Sequence, residues 1–529
     1  MSTDPQEIEI KDVKMDEQPN TTNQDQIIST STTSIENESK QNQQINSRKI
    51  KTKERQDRQK YEQSEYVAIL DENGKPIPKS ERKPKKKVAV MIGYCGTGYN
   101  GLQIQNDPNV KTIEKDLYEA FYKAGAISLE NSIDLKKSGF QRCARTDKGV
   151  HAAGNVISLK MIIEDSDILK KINNNLPETI RVWGIQRTTK GYDCRKMCSS
   201  RWYEYLLPTY SLISPKPGSR LFNLIEIERK KYPHLFINDL EENSKFWEST
   251  TKEYFNQGIT QQDLDLVEKY YSTEEIPNDE QHIENKTIET IIKKIKSVEN
   301  QQRRSYRIST HKLNRFREVM SNYKGTNNFH NFTIGKSFKD TSSKRYIIDT
   351  ITSQPFVING TEWISIKLHG QSFMLHQIRK MICMASLIIR CDLPSLLIKD
   401  SFKQTKINIP KAPSLGLLLE NPVFDAYNFK LKDNLYDIID FNKYSEQMLE
   451  FKMKYIYDKI YNEEIEQNSF YGFFGFIDSY KVPENDEIDI KNNMITIFDF
   501  FHNYINEYKD KSVESSSNDV IEEKIEERK

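Results

Sequence analysis

Val88-Ala-Val-Met-Ile-Gly-Tyr94 is the first stretch of this chain that burial alone can satisfy. A short, continuous apolar run containing β-branched residues suits a strand covered on both faces. What precedes it is different in kind. Residues 1–84 are rich in Asn, Gln, Ser, Thr and Lys and nearly devoid of aromatics. Such a segment cannot bury enough apolar surface to offset its ordering entropy, so disorder is expected there.

From residue 85 the sequence alternates between helix and strand patterns. Ile113, Leu117, Ala120, Phe121 and Ala124 share one helical face, and Gly125 stops that helix. Ile157, Leu159, Met161 and Ile163 alternate as a strand, and residues 167–176 read as a short helix ended by Pro177. Ile180–Ile185 and Arg201–Leu207 are further strands. A second block opens with a helix bearing Leu313, Phe316, Val319, Met320 and Tyr323. Extended segments from Arg345 to Val357 and from Thr361 to Leu368 are joined through Asn359-Gly360, a hairpin signal, and a helix over Leu375–Arg390 follows. This order predicts an α+β fold with a mostly antiparallel sheet. The expected parts are a disordered N-terminal region (1–84), a first catalytic half (85–211), a polar insertion (212–305), a second half (306–430), a helical extension (431–508) and a disordered charged tail (509–529). Two blocks on one plan suggest a bilobed enzyme with a cleft between similar halves.

Several function classes are disfavoured. No apolar run approaches bilayer length, and Asp4, Glu7, Glu9 and Asp12 argue against a transit peptide, so no membrane partner is expected. The six cysteines lack regular spacing and read as reduced thiols. Cys194 and Cys198 have no second pair to complete a zinc site, so no metal is expected. Gly96-Thr-Gly-Tyr-Asn-Gly101 matches the dinucleotide-binding glycine pattern, but Pro108 and a polar loop separate it from the next helix. No cofactor is expected either. The formal net charge of +1 hides an uneven distribution: Lys136–Tyr205 carries 14 Lys and Arg against seven acids, while residues 1–45 carry nine acids against three lysines. A basic centre between acidic ends suits a polyanionic ligand. Arg48–Lys53 and Arg82–Lys87 read as nuclear localisation signals or nucleic-acid arms.

The candidate chemistry lies in Phe140-Gln-Arg-Cys-Ala-Arg-Thr-Asp-Lys-Gly-Val-His-Ala-Ala-Gly154. Asp147 sits among Arg142, Arg145, Lys148 and His151, just before a glycine that can close a tight turn. Nearby cations favour the charged form of a carboxylic acid, and an ionised carboxylate on a turn can act as nucleophile or base. Asp-Lys-Gly is also an ordinary turn sequence, and spacing alone leaves both roles open.

Residues 141–152 resemble the signature loop of the TruA family of tRNA pseudouridine synthases, and Arg195 with Arg201-Trp-Tyr-Glu-Tyr205 is similar to its second motif. Tyr323–Thr333, Gly370–Met381 and Pro410–Leu417 resemble the eukaryotic nuclear and mitochondrial branch. The five blocks stand in the family's order between about residues 88 and 428. The resemblance implies two similar α+β halves, a continuous antiparallel sheet and a central basic cleft holding RNA. It implies that Asp147 is the essential aspartate, Tyr203 the active-site tyrosine, and Arg379 an arginine paired with the aspartate from the opposite half. Arg145, His151 and Arg201 match positions near the RNA; of Phe329, Phe332 and Phe373, most are expected in the core, with a role in receiving unstacked bases as the alternative. Cys383 stands where the family usually has glycine behind Arg379. Tyr192 replaces a phenylalanine in an expected aromatic wall of the pocket. The implied activity is isomerisation of uridine to pseudouridine in tRNA, with small nuclear RNA and mRNA as further substrates, by a monomer in the nucleus, with the mitochondrion or cytoplasm as alternatives. The competing functions are a non-catalytic RNA-binding protein or chaperone of the same fold, and an oxidoreductase using Gly96–Gly101.

Overall fold

A computed structural model describes residues 83–107, 109–133, 135–237, 240–272, 282–431, 436–479 and 494–508. Residues 1–82, with the Arg48–Lys53 cluster, and the tail from 509 lie outside the described residues. Of the second basic cluster, Lys86 and Lys87 already belong to the first strand.

The frame is a mixed ten-stranded sheet. Its strands are β1 (Lys86–Tyr94), β2 (Gln141–Arg142), β3 (His151–Met161), β4 (Ile180–Arg187), β5 (Ser200–Pro208), β6 (Gly325–Asn328), β7 (Lys344–Thr352), β8 (Phe356–Ile358) and β9 (Thr361–Gly370), joined by a late strand. After β10 (Lys406–Asn408), the chain returns as β11 (Leu417–Val423) to the middle of the sheet; β12 (Met494–Thr496) pairs only with β10. The order is β4-β1-β3-β11-β5-β9-β7-β6, with β2 on β3 and β8 on β9. The expected hairpin at Asn359-Gly360 joins β8 to β9, with φ of 49° and 80° at its two turn residues. The pairing is mostly antiparallel, as expected, with the exception within this sheet at its centre, where β11 runs parallel to β3. The sequence reading missed β11 because a bulge between Leu419 and Asn421 and the donorless Pro422 break its two-residue period.

The principal helices are α1 (Ile113–Lys123), α2 (Ile168–Asn174), α3 (Arg220–Lys231), α4 (Leu240–Asn256), α5 (Gln261–Ser272), α6 (His282–Ser305), α7 (Thr310–Ser321), α8 (Gln377–Arg390), α9 (Asp458–Gln467), α10 (Ser469–Ser479) and α11 (Ile497–Tyr508). None of the described helices is long and apolar enough to cross a membrane.

The continuous apolar run of β1 is explained by cover on both faces. Val88, Val90 and Ile92 share one buried cluster with Leu117 and Phe121 of α1, while Ala89 and Met91 belong to a second with Trp183 and Phe451. Phe451, edge-on to Trp183 at 5.4 Å between ring centroids, brings the C-terminal extension onto that second face. Lys452 then reaches into the sheet, 2.9 Å from Glu204 and 2.7 Å from Glu420. Burial alone would raise the Glu204 carboxyl; Lys452 and the Ser365 and Tyr457 hydroxyls outweigh it and leave the group below its usual range.

The 212–305 segment is likewise integral. Its buried Glu299 accepts from Tyr254 at 2.7 Å and Tyr471 at 2.8 Å and pairs with Lys216 at 2.7 Å and Arg303 at 2.9 Å. One carboxylate thus ties α4 and α6 to α10.

Candidate active site

Asp147 lies on the loop between β2 and β3, its side chain 49% exposed. Its carbonyl accepts the Val150 N–H at 3.1 Å, and Gly149 has φ of 75°. That is the positive φ a type II turn demands at its third position. The rest of the loop is pinned group by group. Cys143 N–H donates to Val156 O at 2.8 Å, Leu102 N–H to Thr146 O at 3.2 Å, and Gly149 N–H to Tyr99 O at 3.3 Å. Buried Asn155 donates through Nδ2 to Ala144 O at 3.0 Å, and the Tyr94 and Thr146 hydroxyls meet at 2.8 Å.

The Gly96–Gly101 segment is the bed on which this loop rests. A Cβ on Gly96 would run into the Val150 carbonyl, and one on Gly101, at φ 90°, would come within 2.8 Å of Thr146 O. The glycines were legible in the sequence; that their empty space belongs to the Asp147 loop rather than to a nucleotide was not.

Tyr203 lies on β5 between Leu368 of β9 and Leu419 of β11. Its ring is half-buried, edge-on to Phe373 at 5.2 Å. Burial pushes its phenol up to about 12, against the opposing pull of Arg201. Arg201 spends its donors on the protein: Nη2 reaches Cys143 O at 3.1 Å and Nη1 reaches Gln371 O at 3.2 Å. It straps the Asp147 loop to the turn after β9.

Arg379 sits in the first turn of α8. Its Nε donates to Ala412 O at 2.6 Å, and Ala412 N–H returns a bond to Arg379 O at 3.2 Å. The expected ion pair with Asp147 is therefore corrected. Arg379 feels the Asp147 charge, but among the described residues the basic side chain within ion-pair distance of Asp147 is His376, with Nδ1 3.6 Å from Oδ2. His376 caps α8 at φ 61°. Burial, followed by Lys411, draws its imidazole below the usual value, with Asp147 opposing. In the sequence His376 lies within the Gly370–Met381 motif, where no local pattern marks it as the neighbour of Asp147.

Two further expectations change, those for His151 and Tyr192. His151 is fully buried in β3, and its Nδ1 accepts the Gly96 N–H at 3.1 Å. Burial lowers its pKa to about 4, so it is a neutral brace for the glycine bed and presents nothing to a ligand here. Tyr192 packs against Tyr427 at 4.7 Å, outside the cleft lining. Phe329 and Phe332 are core residues. Arg142 is committed to buried Glu114, with Nη2 at 2.9 Å from Oε2. Cys383 is accommodated fully buried in α8. Arg145 is exposed: with Asp147 and Lys148 it faces Asn100, Gln103 and Gln105 across an open cavity of about 700 Å³.

The comparisons agree on one family. A family model described as tRNA pseudouridine synthase matches residues 319–425. The chain is 60% identical over 462 residues to tRNA pseudouridine synthase 1 of Candida albicans, covering 85% of this chain and 75% of that protein. It is 54% identical over 413 residues to the protein of the same name from Saccharomyces cerevisiae, covering 78% and 74%. It is also 38% identical over 386 residues to the tRNA pseudouridine(27/28) synthase of Saccharomyces cerevisiae, covering 73% and 97%.

Proposed function

The chain belongs to the tRNA pseudouridine synthase family and is an isomerase acting on tRNA, and we propose that Asp147 is the group with which it makes pseudouridine. The reaction breaks the glycosidic C1′–N1 bond of uridine, turns the base and joins C1′ to C5. It is redox-neutral, and a proton leaves C5. Asp147 attacks C6 of the base or C1′ of the ribose, or assists elimination across the sugar. The single observation that carries this role is a half-exposed carboxylate on a turn closed and anchored by main-chain hydrogen bonds, at the edge of an open cavity. A nucleophile gains most when its approach is fixed before the substrate arrives.

Tyr203 stacks on the base and, protonated at neutral pH, donates from its hydroxyl in the proton-transfer step. Arg145, exposed beside Asp147, contacts the RNA. Arg379 and His376 set the field on the far side of the carboxylate. The target uridine is flipped from its stack at a cost of a few kcal/mol, offset by stacking and backbone contacts.

Tritium release from tRNA labelled at C5 of uridine tests the reading, with loss from a substoichiometric amount of enzyme as the expected result. A non-catalytic RNA-binding protein binds the same tRNA and releases none. The same assay on small nuclear RNA and mRNA tests the wider substrate range, and sedimentation tests the monomer. Nuclear location rests on the basic cluster Arg48–Lys53, and its deletion in a fluorescent fusion is the check.

A further inference from the structure

The segment Phe329–Lys336 runs beside the Asp147 site: Thr333 Oγ1 donates at 3.0 Å to the carbonyl of Leu375, the residue before His376. Its own carbonyls are gathered by two lysines. Lys380 Nζ donates to Asn331 O and Thr333 O, each at 3.2 Å. Lys406 Nζ donates to His330 O and Lys336 O, each at 3.0 Å. Each ammonium thus rests on two neutral acceptors, which leave its charge unbalanced. Cations removed from water are ordinarily matched by a carboxylate. The charged side chains acting most on Lys380 are Lys406 and Lys411, both positive, with the Cys383 thiol beyond them. The neighbouring acid on this turn, Asp340, is already taken by Lys336 at 2.7 Å and by Ser342.

The same arrangement leaves donors facing water. With the carbonyls at 330, 331, 333 and 336 occupied from within, the N–H groups of exposed Ile334 and Gly335 have no partner among the described residues. Gly335 has φ of 69°. A left-handed residue in a turn lets successive N–H groups converge into a concavity that takes an anion. Unmatched positive charge and free amides therefore coincide on one turn.

We propose that this turn seats a backbone phosphate of the bound RNA, with the Ile334 and Gly335 amides on its oxygens and Lys380 and Lys406 supplying the balancing charge from beneath. This rests on the site beside it being an RNA-modifying centre, and it adds where one strand of that RNA is gripped.

The test is filter binding of the full-length protein to tRNA across a series of KCl concentrations. In Lys406→Met the slope of log affinity against log salt becomes shallower by about 0.7 to 0.9, the value of one phosphate contact, and Lys406→Arg restores it. A slope equal to wild type, in a Lys406→Met protein with wild-type melting temperature, overturns the seat. Should that variant fail to fold, wild-type protein on tRNAs carrying single methylphosphonate linkages decides. One linkage near the target uridine costs affinity if the seat exists, and uniform tolerance around that uridine refutes it. Tritium release on the same preparation separates the two levels: a wild-type protein that binds but releases none removes the functional reading, while the slope still judges the seat.

Discussion

On the β1–β3 side of the site, position is set by neutral hydrogen bonds. Asp147, Thr146 and Gly149 each engage a backbone partner, and His151 beneath them is neutral. On the α8 side, Arg379, Lys380 and Lys406 supply positive charge, held by main-chain carbonyls rather than by acids. The first side can hold a reacting atom at a fixed place, whatever the salt. The second can attract and orient a polyanion, and its strength falls as salt rises. Geometry and charge, which one site needs together, are divided between two parts of the fold.

The sharpest test of that division is Asp147→Asn. Asparagine keeps the shape and cannot act as an anionic nucleophile. Pseudouridine formation should fall by about a thousandfold or more. Because the side chain is half-exposed and its turn is closed by main-chain bonds, stability should change by no more than about 0.5 kcal/mol. RNA affinity should hold or rise slightly, because no cation is removed. Paired filter-binding and tritium-release assays check both. Residual turnover within about tenfold of wild type would take Asp147 out of the mechanism.

Tyr203→Phe comes next. It keeps the ring against Phe373 and removes only the hydroxyl. Single-turnover rates should drop about a hundredfold with RNA affinity little altered. An unchanged rate would leave Tyr203 as a stacking surface.

Gly101→Ala attacks the framework without touching a reacting group. The added Cβ meets Thr146 O and must adopt φ 90°, which costs about 1–3 kcal/mol and displaces the Asp147 loop. Turnover should fall roughly tenfold, because small misplacements of a reacting group are expensive. Gly191→Ala, with open space around its Cβ and no positive φ, is the control and should match wild type in rate and melting temperature.

These residues also show what a sequence can carry. Asp147 and Tyr203 stood out only through the family motifs they sit in; spacing alone suits Asp147 equally to an ordinary turn and Tyr203 to a buried strand position. The principal helix and strand patterns were legible because their periods are local. Arg379 was placed on the correct helix, but whether its guanidinium reaches Asp147 or Ala412 is decided by a segment 33 residues further on, which no local pattern encodes. His151 looked like one more cation near the aspartate; only the depth of β3 makes it neutral. The central strand β11 escaped notice because its place is fixed by partners more than two hundred residues away in β3 and β5.

The smallest expected effect probes the charged side through its pH dependence. Lys380 is 7% exposed, and burial, then Lys406 and Lys411, bring its pKa down to about 8 from an ordinary 10.5. In the unfolded chain the ammonium keeps its proton up to about 10.5. Between these values the unfolded state therefore binds more protons, and stability rises with pH. The penalty for burying the charge is fully present below about 8 and is relieved above it. RNA affinity should move the other way if the proposed seat holds a phosphate, because the departing proton removes a charge from beneath it. Relative to Lys380→Met, which has no proton to lose, the wild-type melting temperature should gain about 2 °C between pH 7 and 9. Over the same range, at fixed ionic strength, its tRNA affinity should lose about two- to threefold. Thermal melts and filter binding on both proteins measure the two trends. If wild type and Lys380→Met run parallel in both, Lys380 carries no titrating charge that the RNA can sense. The α8 side would then draw its attraction from Arg379, Lys406 and Lys411 alone.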